Sequence, residues 1–144
     1  MERSLTPGTK LLVDTGALLA LAIRKDRHHA AAVRFLKSVP HARFVLTSLV
    51  LAELATRLRV RAGAARAVGL VRDLLSSRRY EIVFVDRTLL DAAIARMERY
   101  TDKVLSLPDC ASFAVMDELG LDTAFAFDAD FRDCGYRIVP EVGL

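Results

Sequence analysis

Five short apolar segments alternate with longer segments rich in alanine and leucine, and this alternation limits the possible fold more than any other feature of the sequence. The short segments are KLLVD (10–14), RFVLT (43–47), YEIVFV (80–85), TAFAF (123–127) and YRIVP (136–140). Apolar residues, many of them β-branched or aromatic, fill these segments, as in buried strands. Strands that alternate with helices predict an α/β fold with a central, mainly parallel sheet of about five strands. In such a fold, ligands gather at the carboxyl edge of the sheet.

The ends of several predicted helices are also marked in the sequence. Ser48 precedes LVLAELATRLRVR, Asp86 precedes RTLLDAAIARMERY, and Ser106 precedes LPDCASFAVMDEL. Serine and aspartate side chains accept hydrogen bonds from the free N–H groups of a first helical turn, so we expect these three residues to be N-caps. Gly120 is expected to end the third of these helices, because glycine readily adopts the left-handed conformation found there.

The length and composition predict one folded domain covering residues 1–144. The chain has 144 residues, of which 53% are hydrophobic, and this is enough to bury a core. The longest apolar run, LLVDTGALLALAI, is too short to cross a bilayer and contains Asp14. We therefore expect a soluble, cytoplasmic protein with no membrane partner. The net charge of +3 is compatible with a nucleic-acid partner but does not by itself indicate one.

Four acidic residues occupy positions at which an α/β sheet builds a site. Asp14 ends the first predicted strand, and Asp128 follows the fourth. Glu53 lies one turn into the helix after the second strand, and Asp109 lies in the first turn of the helix that leads into the fourth. If the first and fourth strands are neighbours, all four carboxylates face one edge, where they would repel each other unless a divalent cation neutralised them. Oxygen ligands of this kind favour Mg²⁺ or Mn²⁺ over zinc.

Each of these acids also has an ordinary structural interpretation. Asp14 and Asp109 are suited to the beginning of a helix. Glu53 could pair with the arginine four residues later, and Asp128 could be a turn residue. Asp130 is a further acid that could assist a metal ion through a water molecule, although we interpret it as a solvated turn residue.

Four segments, taken in order, resemble PIN-domain proteins of the VapC toxin type. They are LLVDTGALLAL, TSLVLAELATRL, LSLPDCASFAVMDELGLDTAFAFDADF and GYRIVP. The resemblance covers nearly the whole chain, and it depends on the ordered set because no single motif is specific. It implies a PIN-like three-layer α/β/α fold and a Mg²⁺- or Mn²⁺-dependent endoribonuclease that hydrolyses RNA phosphodiester bonds, as the toxin of a type II toxin–antitoxin pair. It also implies a homodimer and a small antitoxin protein as a partner.

The resemblance assigns particular residues to the roles known in the family. The acidic positions that hold metal and support catalysis fall on Asp14, Glu53, Asp109 and Asp128. Thr15 matches a small hydroxyl position that can orient water at the metal. Two residues depart from the pattern, since Gly16 stands where many relatives have serine or asparagine, and Pro108 stands where threonine is frequent. Neither departure removes a carboxylate, so they affect the expected geometry more than the chemistry.

Two basic clusters give candidates for contact with RNA. In RLRVRAGAAR (57–66), we expect Arg57, Arg59 and Arg61 to help hold the RNA backbone. A solvated helix face is an equally good interpretation of this cluster and of IRKDRHH (23–29). The two histidines of the second cluster are adjacent in the sequence, so they would point apart on a helix and we expect no metal site there.

Three other functions compete with that of a toxin. A housekeeping RNA-processing nuclease of the PIN type would carry the same residues. The sequence Asp14-Thr15-Gly16 also matches the motif of aspartic proteases, which here would need a dimer to bring two such aspartates together. Those proteases are all-β, however, whereas helix-forming residues follow Asp14 in this chain. A binding module without turnover is disfavoured by the presence of all four carboxylates.

Overall fold

The protein is an α/β structure built around one sheet. The computed structural model describes Leu5 and residues 8–141. Within that part of the chain, the strands are β1 (Lys10–Val13), β2 (Arg43–Thr47), β3 (Tyr80–Val83), β4 (Thr123–Phe125) and β5 (Arg137–Val139). The helices are α1 (Thr15–Ala22), α2 (His29–Ser38), α3 (Ser48–Ala62), α4 (Ala64–Ser76), α5 (Arg87–Arg99), α6 (Leu107–Leu119) and α7 (Ala129–Asp133). All strand pairs are parallel, in the order β3-β2-β1-β4-β5, which confirms the predicted α/β fold with a five-stranded parallel sheet.

Helices cover both faces of the sheet because the strands are apolar on both sides. Leu11 and Val13 of β1 belong to a core cluster that includes side chains of α1 to α4. Leu12 lies between them in the sequence and belongs to a cluster with α5, α6 and α7. Since successive residues of a strand point to opposite faces, this alternation confirms the predicted three-layer α/β/α arrangement. Among the described residues, no helix is long and apolar enough to cross a membrane.

The position of β1 at the centre of the sheet determines where the loops meet. Val13 pairs with Phe125 of β4, and Leu12 pairs with Val45 of β2 on the other side. Because the strands are parallel, the carboxyl ends of β1, β2 and β4 lie side by side on one edge. The segments that leave these three strand ends carry three of the four predicted site residues.

Two of the three predicted helix caps agree with the structure. The side chain of Asp86 accepts a hydrogen bond from the N–H of Leu89 at 2.9 Å at the beginning of α5. Ser106 caps α6, and Gly120 ends that helix with a φ of 69°, in the left-handed region that favours glycine. The termini of α5 and α6 were therefore readable from local sequence.

The predicted cap of α3 is wrong by one residue. Thr47 is the N-cap, and its Oγ1 accepts a hydrogen bond from the N–H of Val50 at 3.2 Å. Thr47 is the last residue of β2 and keeps an extended backbone, so Ser48 is already the first helical residue. The Ser48 hydroxyl instead accepts a hydrogen bond from the N–H of Val85 at 2.9 Å, which ties α3 to the segment after β3.

The fourth strand is shorter than predicted, and an unpredicted helix follows it. β4 ends at Phe125, two residues before the end of the apolar segment. Asp128 is the N-cap of α7, because its Oδ1 accepts a hydrogen bond from the N–H of Asp130 at 2.9 Å. Asp130 therefore lies in the first turn of a helix and not in a solvated turn. The local apolar pattern continued to Phe127 and did not show where pairing with β5 stops.

Candidate active site

A cleft of about 660 Å³ opens at the edge of the sheet where β1, β2 and β4 end. The acidic residues predicted from the sequence that line it are Asp14, Glu53, Asp109 and Asp128. Asp130 does not line this cleft. The structure therefore brings four carboxylates from distant parts of the sequence into one space, and Asp130 is not among the residues that line it.

Asp14 is the most buried of the four, with 7% of its surface exposed. It follows the last residue of β1 and precedes α1, so the centre of the sheet sets its position. Burial is the largest cause of a rise in the pKa of Asp14 to about 7, because a charged carboxylate loses hydration there. The negative charges of Asp109, Asp128 and Glu53 raise this pKa further, while a hydrogen bond from the N–H of Thr15 lowers it.

Asp109 combines a structural role with its position in the cleft. Its Oδ2 accepts a hydrogen bond from the N–H of Ser106 at 3.2 Å, and its own N–H donates to the Ser106 hydroxyl at 3.1 Å. This reciprocal pair is a capping box, which holds the first turn of α6 and fixes the direction of the carboxylate. Burial raises the pKa of Asp109, the hydrogen bonds with Ser106 lower it, and the charges of Asp128 and Glu53 raise it again.

The other two acids reach the cleft from α3 and from the N-terminus of α7. Glu53 is half-buried, and among the described residues no ion pair joins it to Arg57, although both side chains line the cleft. The alternative in which Glu53 serves a surface ion pair is therefore not what the structure has. Asp128 is exposed and caps α7, so it has a local structural role, as a helix cap and not as the turn residue considered from the sequence. It also lines the cleft with the other carboxylates.

Thr15 places an unusual hydroxyl beside Asp14. The residue is 1% exposed, and its Oγ1 is a buried oxygen without a hydrogen-bond partner among the described residues. Such groups are rare, because an unsatisfied buried hydroxyl costs about 1–3 kcal/mol. Gly16 follows, and a Cβ placed there would lie 3.7 Å from Asp14 Oδ2, which is an ordinary contact. The glycine at this position is therefore not required by a clash at Cβ.

The donor set of the cleft fits a hard divalent cation. The four acidic residues offer only carboxylate oxygens, and Mg²⁺ and Mn²⁺ prefer oxygen ligands. A bound cation would stabilise the charged form of Asp14, whose pKa is raised. One of the cation's water molecules would give the Thr15 hydroxyl a hydrogen-bond partner, which it lacks among the described residues. Across Leu5 and residues 8–141, no three His, Cys, Asp or Glu side chains are close enough to form a metal centre as they stand. The carboxylates therefore share a cleft without already meeting at one point.

The predicted RNA-contacting arginines divide between two surfaces. Arg57 and Arg61 are one helical turn apart on α3, and both line the cleft. Arg59 lies on another face of α3 and lines a separate groove between α3 and α4. The pattern of a helix, in which positions two apart point in different directions, explains this separation. A role in binding RNA stays a prediction for all three residues.

Sequence reasoning missed several residues that line the same cleft. They are Asp26, Arg27, His28, Ser106 and Phe127. The first three belong to the basic segment IRKDRHH, which showed its charge but not its location. His28 precedes α2 and is not part of its helical face, so the argument from adjacent helical histidines did not apply to it. Phe127 directly precedes Asp128 after a strand, and this adjacency was a local signal that the ring lies beside the acid.

Comparisons with known proteins agree with this fold and this site. The PIN domain family matches residues 11–135. The 23S rRNA-specific endonuclease VapC20 of Mycobacterium tuberculosis is 37% identical over 134 residues, which cover 91% of this chain and 99% of that protein. The crystal structure of Mycobacterium tuberculosis VapC20, described as a sarcin–ricin loop cleaving toxin, superposes with a TM-score of 0.82 at 31% identity and covers 88% of this chain and 95% of that chain.

A more distant structure shares the fold alone. VapBC2 from Rickettsia felis, bound to a DNA fragment from its promoter, matches with a TM-score of 0.67 at 13% identity, over 90% of this chain and 97% of that chain. The family match and the two VapC20 comparisons confirm the predicted resemblance to VapC-type proteins and the predicted nuclease class. The chain belongs to the PIN-domain family.

Proposed function

We propose that the protein is a Mg²⁺- or Mn²⁺-dependent endoribonuclease and the toxin of a VapBC-like type II toxin–antitoxin pair. The observation that carries the proposal is that four carboxylates, one of them deeply buried, line a single cleft. The 37% identity to VapC20 over nearly the whole chain supports the same conclusion. The family match over residues 11–135 also supports one PIN-like domain for residues 1–144.

In this proposal, the four carboxylates hold the cation. Asp14 is the central ligand because β1 fixes it most firmly, while Asp109 is directed by its capping box. When bound, a divalent cation acidifies water and neutralises charge that develops on a phosphate. The Thr15 hydroxyl has no hydrogen-bond partner within residues 8–141 or at Leu5, and it is available to orient a water molecule. Arg57 and Arg61 lie in the same cleft and are placed to bind phosphates of the RNA backbone.

The first RNA to test is a loop of the large ribosomal RNA. VapC20 is named for 23S rRNA, and its crystal structure is that of a sarcin–ricin loop cleaving toxin. A loop substrate agrees with the lining of the cleft, which includes arginines that can contact phosphates and the rings of His28 and Phe127, which can contact bases. Ribosomal RNA as a substrate also places the proposed activity in the cytoplasm.

Two protein partners belong to the proposal. Relatives of known structure include complexes of a toxin with its antitoxin, from Klebsiella pneumoniae and Rickettsia felis. We infer that a small antitoxin binds this chain and blocks the cleft, and that the chain forms a homodimer. Growth arrest on expression of this chain, relieved by the product of an adjacent short gene, would identify a toxin. A housekeeping nuclease would be tolerated without such a product.

The test of the nuclease is cleavage of a hairpin RNA carrying the sarcin–ricin loop. We expect cleavage with Mg²⁺ or Mn²⁺, and loss of at least 100-fold in rate with chelator or with Asp14→Asn, since one removed metal ligand has effects of this order. Asp91→Asn is a matched control, because Asp91 is exposed and pairs with Arg87 far from the cleft. Cleavage that survives both chelator and Asp14→Asn would overturn the mechanism.

Competing functions predict other outcomes. An RNA-binding module would retain the hairpin but never cut it with any divalent metal. An aspartic protease is incompatible with the fold, since helix α1 begins at Thr15 and the sheet is parallel with helices on both faces.

A further inference from the structure

Part of the cleft lining is aromatic and has no role in the proposed metal chemistry. The rings of His28 and Phe127 stack with their centroids 4.3 Å apart and their planes within 5° of each other. Both residues line the cleft that holds the four carboxylates. The two rings come from different parts of the chain, His28 from the beginning of α2 and Phe127 from the segment between β4 and α7.

The inner ring of this pair is anchored in the core. Phe127 meets Phe125 of β4 edge-on, with ring centroids 6.2 Å apart. Phe125 is fully buried and in turn contacts Phe35 and Phe44, at 4.8 Å and 5.8 Å between centroids. A continuous set of aromatic contacts therefore runs from the centre of the protein to the cleft. His28 is the last ring of that series.

The outer ring is held by polar contacts on its own segment. The N–H of His28 donates to Asp26 Oδ1 at 2.8 Å, and Arg27 Nε donates to His28 Nε2 at 3.1 Å. Asp26 also lies 3.9 Å from a terminal nitrogen of Arg61, which joins this segment to α3. The backbone of His28 is fixed further, since its carbonyl accepts the N–H of Ala32 in the first turn of α2. The imidazole is thus fixed in orientation while it remains half-buried at the cleft.

The ring pair lies next to both kinds of charge that RNA cleavage requires. Phe127 directly precedes Asp128, one of the four carboxylates. His28, the other ring of the pair, directly follows Arg27 and is hydrogen-bonded to its guanidinium. Asp26, the residue before Arg27, contacts Arg61. A nucleotide that placed its base on His28 would therefore have arginines within the same cleft for its flanking phosphates. The carboxylates that are proposed to hold the metal ion lie in that cleft too.

We propose that His28 is the stacking platform for an unpaired base of the RNA substrate, adjacent to the phosphate that is cut. The inference rests on the proposed nuclease function and names the form of substrate that the cleft accepts. Phe127 occupies one face of the imidazole, and a base continues the stack on the other. In a duplex each base is already covered by its neighbours, so the site selects loops, bulges and single strands, in which a base can be turned outward. Asp26 is a positioning residue, because it acts by holding the His28 backbone and Arg61.

Two RNA probes test the stacking. One is the sarcin–ricin hairpin with 2-aminopurine at one loop position at a time, and the other is an unstructured 12-nucleotide RNA with a single 2-aminopurine. Binding is measured with the 144-residue chain in chelator, where stacking on a ring quenches the fluorophore and no cleavage interferes. Because stacking tolerates any base, both RNAs report on the platform.

The variants separate stacking from other roles of the histidine. We expect His28→Ala to bind either RNA about 5- to 100-fold more weakly and to lose the quenching, in line with alanine substitutions at base-stacking rings. His28→Phe should keep both, because it keeps a flat ring. His41→Ala is the matched control, since His41 is exposed and does not line the cleft. In cleavage assays with Mg²⁺, the loss in His28→Ala should fall on KM and leave kcat nearly unchanged.

An abasic substitution identifies the nucleotide that stacks. At the correct loop position, it should weaken cleavage by the wild type and have little further effect on His28→Ala. If the wild type cleaves the hairpin while His28→Ala retains its affinity, its quenching and its sensitivity to abasic sites, His28 merely shields Phe127 and the inference is wrong. If no RNA is cleaved by the wild type, the proposed nuclease fails. In that case quenching lost in His28→Ala and kept in His28→Phe still supports the platform, whereas equal quenching in all three proteins contradicts it.

Discussion

The N–H of Asp14 donates a hydrogen bond to the carbonyl oxygen of Phe125 at 3.1 Å. This bond continues the pairing of β1 with β4 by one residue beyond β1, so the first acid of the cleft is held directly by the strand that leads to the last one. Asp128 follows only three residues after Phe125. The pairing of β1 with β4 therefore brings the segments that carry these two acids side by side at the carboxyl edge of the sheet.

The burial of Asp14 predicts how the stability of the protein depends on pH. The pKa of Asp14 is raised to about 7 in the folded protein from an ordinary value of 3.8, so between these values the folded form keeps a proton that the unfolded form has lost. The free energy of unfolding should then fall as the pH rises from about 4 to about 7, by up to about 4 kcal/mol at 1.36 kcal/mol per pKa unit. Urea denaturation in chelator at pH 5.5 and pH 8 measures the change.

Asp14→Asn should remove that dependence. Asparagine keeps an oxygen for the N–H of Thr15 but cannot ionise, so we expect the variant to be more stable than the wild type at pH 8 by about 1–3 kcal/mol in the absence of divalent metal. Asp91→Asn, on the exposed side of α5, should follow the wild type. A lower stability of Asp14→Asn at pH 8 would contradict the assignment of a buried, repelled charge.

Divalent metal should stabilise the folded protein through the same carboxylates. A cation that binds only the folded form at 100 times its dissociation constant adds about 2.7 kcal/mol to the free energy of unfolding. We expect Mn²⁺ to raise Tm more at pH 8 than at pH 5.5, because the ligands must be deprotonated. Thermal unfolding of wild type and Asp14→Asn gives the comparison, and an equal rise in both proteins would place the metal elsewhere.

The two faces of α3 predict different effects of its arginines on RNA binding. Arg57→Gln and Arg61→Gln should each weaken binding and reduce the slope of log affinity against log salt by about 0.7, the value for one phosphate contact on single-stranded nucleic acid. Arg59→Gln is the matched control, because Arg59 lies on the same helix and outside the cleft. Binding isotherms at several salt concentrations test this. If Arg57→Gln and Arg61→Gln kept the affinity and the slope of the wild type, the cleft arginines would be assigned to solubility.

The capping box of α6 links stability to the site. Ser106→Ala removes the hydroxyl that accepts the N–H of Asp109, and we expect a loss of about 1 kcal/mol in the free energy of unfolding. Asp86→Ala removes a comparable cap from α5 and should cost about the same. Cleavage should decrease severalfold in Ser106→Ala alone, because Asp86 does not line the cleft. Equal cleavage rates would show that the direction of Asp109 does not depend on its cap.

Local sequence determined the elements and the chemical nature of the site. Apolar strands with β-branched and aromatic residues, and helix ends at Ser106 and Gly120, are properties of short stretches, so they could be predicted correctly. Asp14 and Asp128 could be proposed as site residues because each is a charged residue that directly follows the apolar residues of a predicted strand, at the edge of the sheet where α/β proteins bind ligands. The family resemblance then connected them to nuclease chemistry, and the comparisons confirmed that class.

Tertiary structure decided which of these residues share a space. The placement of β1 between β2 and β4 results from packing on both faces of the sheet, and no local pattern encodes that order. The same long-range packing stacks His28 on Phe127 and leaves the Thr15 hydroxyl buried, with no hydrogen-bond partner in the part of the chain that the structure describes. It also moved the cap of α3 to Thr47, because the end of β2 was set by pairing across the sheet and not by the serine that follows. Residue types and their spacing can be read along a chain, whereas burial and contact depend on segments far apart in it.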